Sequence, residues 1–133
     1  MKFLLAGGGT AGHVNPLLAL AESLRADGHE VLALGTKEGL EQRLVPERGF
    51  ELAVVPKLPM PRRVSAAMLS FPFRLLAAAW KVRGIINVQG MVAVVGFGGY
   101  ASAPAYLGAK FAGVPIVVHE ANAKAGFANR LGL

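Results

Sequence analysis

Two glycine-rich turns, each set where an apolar strand-like run gives way to helical sequence, confine this chain to a narrow set of folds. The first is Gly7-Gly8-Gly9-Thr10-Ala11-Gly12-His13, after the run from Phe3 to Ala6. The second is Gly96-Phe97-Gly98-Gly99-Tyr100-Ala101-Ser102, after Met91 to Val95. In an open parallel sheet the first and fourth strands are neighbours, and the connections leave the crevice between them in opposite directions. Ligands bind there, at the carboxyl ends of the strands. Glycine lets backbone approach a ligand closely, and the helix that follows offers unpaired N–H groups with a partial positive charge. Two such loops on one crevice point to an anionic ligand that bears phosphate.

The rest of the chain keeps the strand–helix alternation. Strands are expected over 2–6, 31–34, 52–55, 91–95 and 116–118. A helix is expected from Pro16, with Asn15 as N-cap and Pro16 at the tolerated first position. Leu17, Leu20, Ala21 and Leu24 form its apolar stripe, and Gly28 ends it. A short helix spans 40–47. A long one runs from Ser65 to Asn87, with a break or restart near Pro72. Another covers 103–112 and stops at Gly113. The repeated βα pattern implies a parallel sheet with right-handed crossovers and strand order 3-2-1-4-5. Gly126 to Leu133 reads as the start of a further helix.

At 133 residues the chain is one domain at most, with enough length for a real core. High apolar and low charged content fits strands buried on both faces. No apolar run is long enough to span a bilayer, and the sequence after Lys2 does not read as a secretion signal. Without cysteine there are no disulfides and no thiolate metal sites. Charge is unevenly spread. Residues 1–51 carry five basic and seven acidic side chains; residues 52–133 carry nine basic and one acidic, Glu120. That asymmetry points to an anionic partner, whether membrane, phosphate ligand or nucleic acid; a solubilising surface or an acidic neighbouring domain are the alternatives.

Gly7-x-Gly9-x-x-Gly12 formally matches a dinucleotide fingerprint, but the acid required at the end of the second strand is absent: the sequence there is Leu34-Gly35-Thr36-Lys37, and Glu38 lies too late. A tight β–α turn that needs glycine for steric reasons is the alternative. His13 stands at the mouth of the first helix, where the helix dipole favours a neutral imidazole able to accept a proton from a hydroxyl. A loop histidine bonded to backbone is the alternative. His119-Glu120 follows the fifth strand on the same edge as both loops, placed to bind sugar hydroxyls or to cap the next helix.

Between Lys57 and Arg83 there are six basic residues and no acid. At about 100° per residue, Leu75, Ala79, Val82 and Ile86 share one helical face. Leu69, Phe73, Leu76 and Trp80 share another. A helix lying on a sheet needs only one apolar face. The second, flanked by Arg62, Arg63, Arg74, Lys81 and Arg83, reads as a membrane-surface patch, or as a face covered by a missing domain or dimer partner.

Together the stretches GGGTAGHxxP, GFGGYxSxP and HEANAKAGFAN resemble the N-terminal domain of MurG-type glycosyltransferases over essentially the whole chain. The resemblance implies an α/β, Rossmann-like parallel sheet flanked by helices, the N-terminal half of a GT-B fold. It implies transfer of N-acetylglucosamine from UDP-N-acetylglucosamine to the C4 hydroxyl of lipid I, with inversion, giving lipid II for peptidoglycan. It implies no cofactor, no metal and no nucleic-acid partner, and a peripheral place on the cytoplasmic face of the bacterial membrane, against anionic lipid. By the same resemblance Thr10, Ala11, Gly12 and Asn122 reach the donor. Gly9, Gly12, Gly98, Gly99 and Tyr100 are assigned to the acceptor diphosphate. His13 is the first candidate for the catalytic base, with Glu120 or His119 in support. Ala11 stands where the family often has glycine, and Ala121 where it often has glutamine. Nothing in 1–133 matches the donor-binding C-terminal domain, so the expectation is an incomplete N-terminal domain, inactive alone. A noncatalytic membrane-recruiting subunit of a split GT-B enzyme is the alternative of a different class, and a dinucleotide-binding domain is the weaker third.

Overall fold

The computed structural model describes residues 1–9, 11–36, 39–56 and 66–119. Five parallel strands form one sheet: β1 (Lys2–Ala6), β2 (Glu30–Thr36), β3 (Glu51–Val55), β4 (Met91–Gly96) and β5 (Ile116–Val118). Their order is β3-β2-β1-β4-β5, as the βα alternation predicts. The helices are α1 (Ala11–Ala26), α2 (Glu41–Glu47), α3 (Ala66–Gln89) and α4 (Ser102–Ala112).

Side chains alternate across β1, and the alternation builds two cores. Leu4 and Ala6 join Leu32, Leu34, Val55 and Val94 under α3 and α4. Leu5 joins Ala33 and Val95 under α1 and α2, against Val14, Leu17, Leu18, Ala21 and Val45. The chain moves outward from β1 through β2 to β3, then α3 crosses the opposite face to β4 on the other side of β1. Right-handed crossovers require that change of face. The switch between β1 and β4 is the crevice foreseen from the glycine turns.

Two helix limits differ from the sequence expectation. α1 begins at Ala11, directly after the first glycine loop, and Pro16 lies inside it rather than at its first turn. Pro16 forfeits one backbone hydrogen bond, while buried Val14 and Leu17 on either side of it hold the turn against the sheet. α3 runs through Pro72 without a break. Its apolar faces fall where the periodicity places them: Leu75, Ala79, Val82 and Ile86 are buried, while Leu69, Phe73, Leu76 and Trp80 are exposed. Burying each leucine, valine or isoleucine of the inner face contributes about 1.5–3 kcal/mol. α4 ends at Gly113 in the left-handed conformation (φ 75°), as its sequence predicts.

α3 and α4 approach closely at Gly108. A Cβ there would lie 2.7 Å from Val82 Cβ and 2.8 Å from the Ala79 carbonyl oxygen. Gly108→Ala is therefore expected to force the helices apart and lower Tm, at a cost of about 1–3 kcal/mol for overpacking. Val82→Ala removes the Cγ1 that the added methyl would also meet at 2.7 Å but keeps the Cβ, so the double variant should be only slightly more stable than the sum of the singles predicts. A Gly108→Ala protein with wild-type Tm in thermal denaturation would show that the helices separate freely.

Candidate functional site

The ladder of the sheet carries both glycine loops to one edge. Ala6 is level with Leu34 on one side and Gly96 on the other. The pairing continues past the strands: Gly7 N–H donates to the Leu34 carbonyl (3.1 Å), Phe97 N–H to that of Ala6 (2.8 Å), and His119 N–H to that of Gly96 (2.8 Å). Gly98 and Gly99 have φ of 97° and 90°. A Cβ on Gly99 would stand 2.6 Å from the Gly8 carbonyl oxygen, so the two loops touch through bare backbone.

His13 sits in the first turn of α1 and spans both loops. Its Nδ1 lies 2.9 Å from the Gly8 carbonyl oxygen. A carbonyl only accepts, so Nδ1 carries the proton, and in the neutral ring Nε2 holds the lone pair. The other side of the ring packs on the second loop: a Cβ on Gly98 would meet Nε2 at 2.9 Å. The next residue, Phe97, holds the second histidine. Its ring and that of His119 are 5.3 Å apart between centroids. One loop thus carries His13 and His119 against adjacent residues.

Ser102 and Glu41 complete the site, and the sequence reading assigned neither a role. Buried Ser102 Oγ accepts from Gly98 N–H (3.1 Å) and faces the Ala6 carbonyl at 3.5 Å, fastening the second loop to β1. Glu41, from the start of α2, is fully buried. Its Oε2 accepts from Gly9 N–H at 2.9 Å. Its Oε1 is buried without a hydrogen-bond partner among the described residues. The carboxylate fits only because Gly8, Gly35 and Gly39 line it; a Cβ on any of these would overlap it. Glu41, Leu44 and Val45 fall at i, i+3 and i+4. That spacing put the acid on the apolar face of α2 and was the available signal.

Burial pushes the Glu41 carboxyl above its ordinary value of 4.5. The Gly9 N–H, the amides of Glu41 and Thr36, and a positive charge on the His13 ring when it is protonated pull it down without cancelling that rise.

The N–H groups of Gly9 and Gly98, assigned to a diphosphate, are thus already donated to Glu41 and Ser102. An anion at Gly9 would also face a carboxylate, which tells against a dinucleotide pyrophosphate there. Ala11 and Gly12 lie exposed in the first turn of α1, and Tyr100 is exposed beside the second loop. Thr10, Glu120 and Asn122 lie outside the described residues, as do Arg62 and Arg63. Arg74 is exposed on α3, and Arg83 stacks on Trp80, its guanidinium carbon 4.6 Å from the ring centroid. Lys81 departs from the patch it was assigned to: its ammonium donates to the Val54 carbonyl at 2.7 Å, on the edge strand β3. Phe111 of α4, not foreseen, joins the patch, 6.2 Å from the Trp80 ring.

Residues 3–132 match the glycosyltransferase family 28 N-terminal domain. The chain belongs to that family. It is 60% identical over 132 residues to the UDP-N-acetylglucosamine–N-acetylmuramyl-(pentapeptide) pyrophosphoryl-undecaprenol N-acetylglucosamine transferase of Leifsonia xyli subsp. xyli, covering 98% of this chain and 37% of that protein. It is 53% identical to the protein of the same name from Corynebacterium diphtheriae, over 99% of this chain and 37% of that one. The crystal structure of Acinetobacter baumannii MurG superposes with a TM-score of 0.84 at 34% identity, covering 98% of this chain and 38% of that one. The Streptomyces glycosyltransferase SsfS6, at 20% identity and a TM-score of 0.66, shares the fold. The family 28 chain described here therefore spans somewhat over a third of the length of its relatives, and its fold is that of the N-terminal half of a GT-B glycosyltransferase.

The raised Glu41 pKa has a consequence for stability. The unfolded chain releases this proton near 4.5, while the folded chain holds it to higher pH. The fold binds more protons in that window, so this contribution to stability is full below 4.5 and is lost as pH rises through the folded value. Glu41→Gln imitates the protonated form. The Tm of the wild type relative to Glu41→Gln is expected to fall as pH rises from 4.5; a constant difference would show that the carboxyl is not desolvated.

Proposed function

We propose that residues 1–133 are the acceptor-binding, membrane-facing half of an enzyme that transfers N-acetylglucosamine from UDP-N-acetylglucosamine to the C4 hydroxyl of lipid I. The chain spans 37% of the length of its Leifsonia relative, donor binding is assigned to the part of such an enzyme that this chain does not match, and 1–133 alone is expected not to turn over. The observation that carries the reading is His13, held by backbone across both glycine loops with its Nδ1 proton fixed on the Gly8 carbonyl. The names of the chain's relatives support it as far as an N-acetylglucosamine transferase of UDP-N-acetylglucosamine and N-acetylmuramyl-(pentapeptide) pyrophosphoryl-undecaprenol.

In the transfer the acceptor oxygen forms a bond to the anomeric carbon as the bond to UDP breaks, with inversion. UDP leaves with the bonding electrons, and the hydroxyl proton passes to His13 Nε2. Such positioned proton acceptance contributes about 10²–10⁴-fold. Glu120 and His119 support the base or hold acceptor hydroxyls. Gly12, Gly99 and Tyr100, at the mouths of α1 and α4, are the better-placed contacts for the acceptor diphosphate, now that the Gly9 and Gly98 amides are engaged. Thr10, Ala11, Gly12 and Asn122 are assigned to the donor by the family resemblance. No metal or cofactor takes part in this reading. In a full-length enzyme containing residues 1–133, His13→Ala is expected to lower kcat on lipid I by about 10²–10⁴-fold. Near-normal turnover would remove His13 from the chemistry.

The same half docks on the cytoplasmic leaflet, peripherally. No helix among the described residues is long and apolar enough to cross a membrane. Leu69, Phe73 and Trp80 are 75%, 74% and 62% exposed on one face of α3, and Phe111 extends that face. Arg74 and Arg83 lie beside them, with Arg62 and Arg63 upstream in sequence. Aromatics that enter the interface and cations that meet anionic headgroups act together here. The protein is expected to sediment with anionic vesicles, less so as salt rises. Phe73→Ser with Trp80→Ser should abolish sedimentation without loss of Tm, since neither side chain is in the core. A wild-type protein that ignores anionic vesicles at low salt would refute the docking face.

A further inference from the structure

The hydrogen bonds of Glu41 and His13 converge on one peptide group. Its carbonyl is that of Gly8, which accepts from His13 Nδ1–H at 2.9 Å. Its N–H is that of Gly9, which donates to Glu41 Oε2 at 2.9 Å. A peptide is planar, so these two groups point in opposite directions. The unit is flanked by glycines, whose backbone does not by itself fix its direction. The buried carboxylate does: a flipped peptide would aim the Gly8 carbonyl at Glu41 and an N–H at the imidazole. We infer that Glu41 is a positioning residue for the transfer, acting on His13 through the Gly8–Gly9 peptide. The inference rests on the reading of His13 as the base.

The physical basis is polarisation along a short hydrogen-bond chain. Donation of the Gly9 N–H to a carboxylate draws electron density toward the Gly8 oxygen. That strengthens its acceptance from Nδ1–H, and Nε2 becomes the better proton acceptor. The carboxylate thus does through a peptide what a triad aspartate does by direct contact with its histidine. Two features set this acid apart from a structural one. It is fully buried, with one oxygen given to the loop and the other unpaired among the described residues. Its cavity is made of glycine backbone from three separate segments, around Gly8, Gly35 and Gly39. A hydrophobic side chain would fill such a space at lower desolvation cost, so burial of the acid is not explained by packing. Among the described residues, His13 on α1 is the titratable side chain that acts on Glu41 from the elements around it. The β1–α1 loop and β2 present backbone there.

The test uses the complete polypeptide, assayed with lipid I and UDP-N-acetylglucosamine and labelled with ¹⁵N at histidine. Glu41→Gln keeps an acceptor and removes the charge. It is expected to lower kcat by roughly 10–10²-fold, as loss of the hydrogen-bond partner of a metal-bound histidine does, with KM for UDP-N-acetylglucosamine unchanged. The Glu41 carboxyl should add an ionisation above pH 4.5 to the acid side of the wild-type kcat profile, beside the limb that any general base gives, and the variant should lose only that added ionisation. Glu41→Ala with Gly35→Ala puts a methyl into the space vacated. This pair should recover Tm lost in Glu41→Ala alone, yet leave kcat low and the His13 ring in a mixture of tautomers rather than protonated at Nδ1. Wild-type kcat and an unchanged pH profile in Glu41→Gln would overturn the inference, as would wild-type kcat with a pure Nδ1–H tautomer in the double variant. If His13→Ala is inactive while the Glu41 variants behave as wild type, only the positioning role falls. If His13→Ala is itself active, the base falls, and the positioning role with it.

Discussion

Strand β1 is hydrogen-bonded on both sides and buried on both faces, and most of the architecture follows from that. Its two neighbours, β2 and β4, come from opposite arms of the chain. Its side chains feed two separate cores, so helices must cover both faces. Because the crossovers have one hand, the chain leaves the β1–β4 edge in two directions. A gap results where no connection passes. The site is there because parallel topology leaves it open.

What fills the gap is backbone more than side chain. The sheet ladder continues into Gly7, Phe97 and His119, which holds all three loops in register with the core. Glycine at 98 and 99 lets the loops meet at van der Waals distance. The side chains that do enter each fasten a piece of main chain: Ser102 the second loop, Glu41 the first, His13 both. Their amide N–H groups at Gly9 and Gly98 are committed internally. In the proposed function, recognition of the acceptor diphosphate therefore falls to the mouths of α1 and α4. A reacting group near neutral charge can sit behind it.

α3 joins this site to the surface. Its inner face is indispensable to the α4 side of the core, and its outer face leaves Phe73 and Leu69 about three-quarters exposed. One helix thus connects the packing beneath the β1–β4 crevice with an exposed aromatic surface extended by Phe111. Lys81 shows how a cation counted with that surface by sequence can be diverted. The edge strand β3 presents an unpaired carbonyl at Val54, and the flexible lysine stem reaches it.

Strand order, both faces of α3, and the gathering of the two glycine turns with His13 and His119 at one edge were legible from the sequence. Each depends on local periodicity, on glycine placement, or on the fixed hand of βαβ crossovers. The helix limits at Ala11 and through Pro72 were not. A proline costs one hydrogen bond locally, and only packing against the sheet decides whether the helix tolerates it. Glu41 was visible merely as an acid on a short helix. Its meaning depends on Gly9, 32 residues away, and on the glycines that open a cavity around its carboxylate. Ser102 likewise faces Ala6 across 96 residues. Sequence pattern reports which face of an element is apolar, since that is a property of neighbours in the chain. It cannot report which backbone amide a buried polar group will meet, because that contact exists only once distant segments are packed and water is gone.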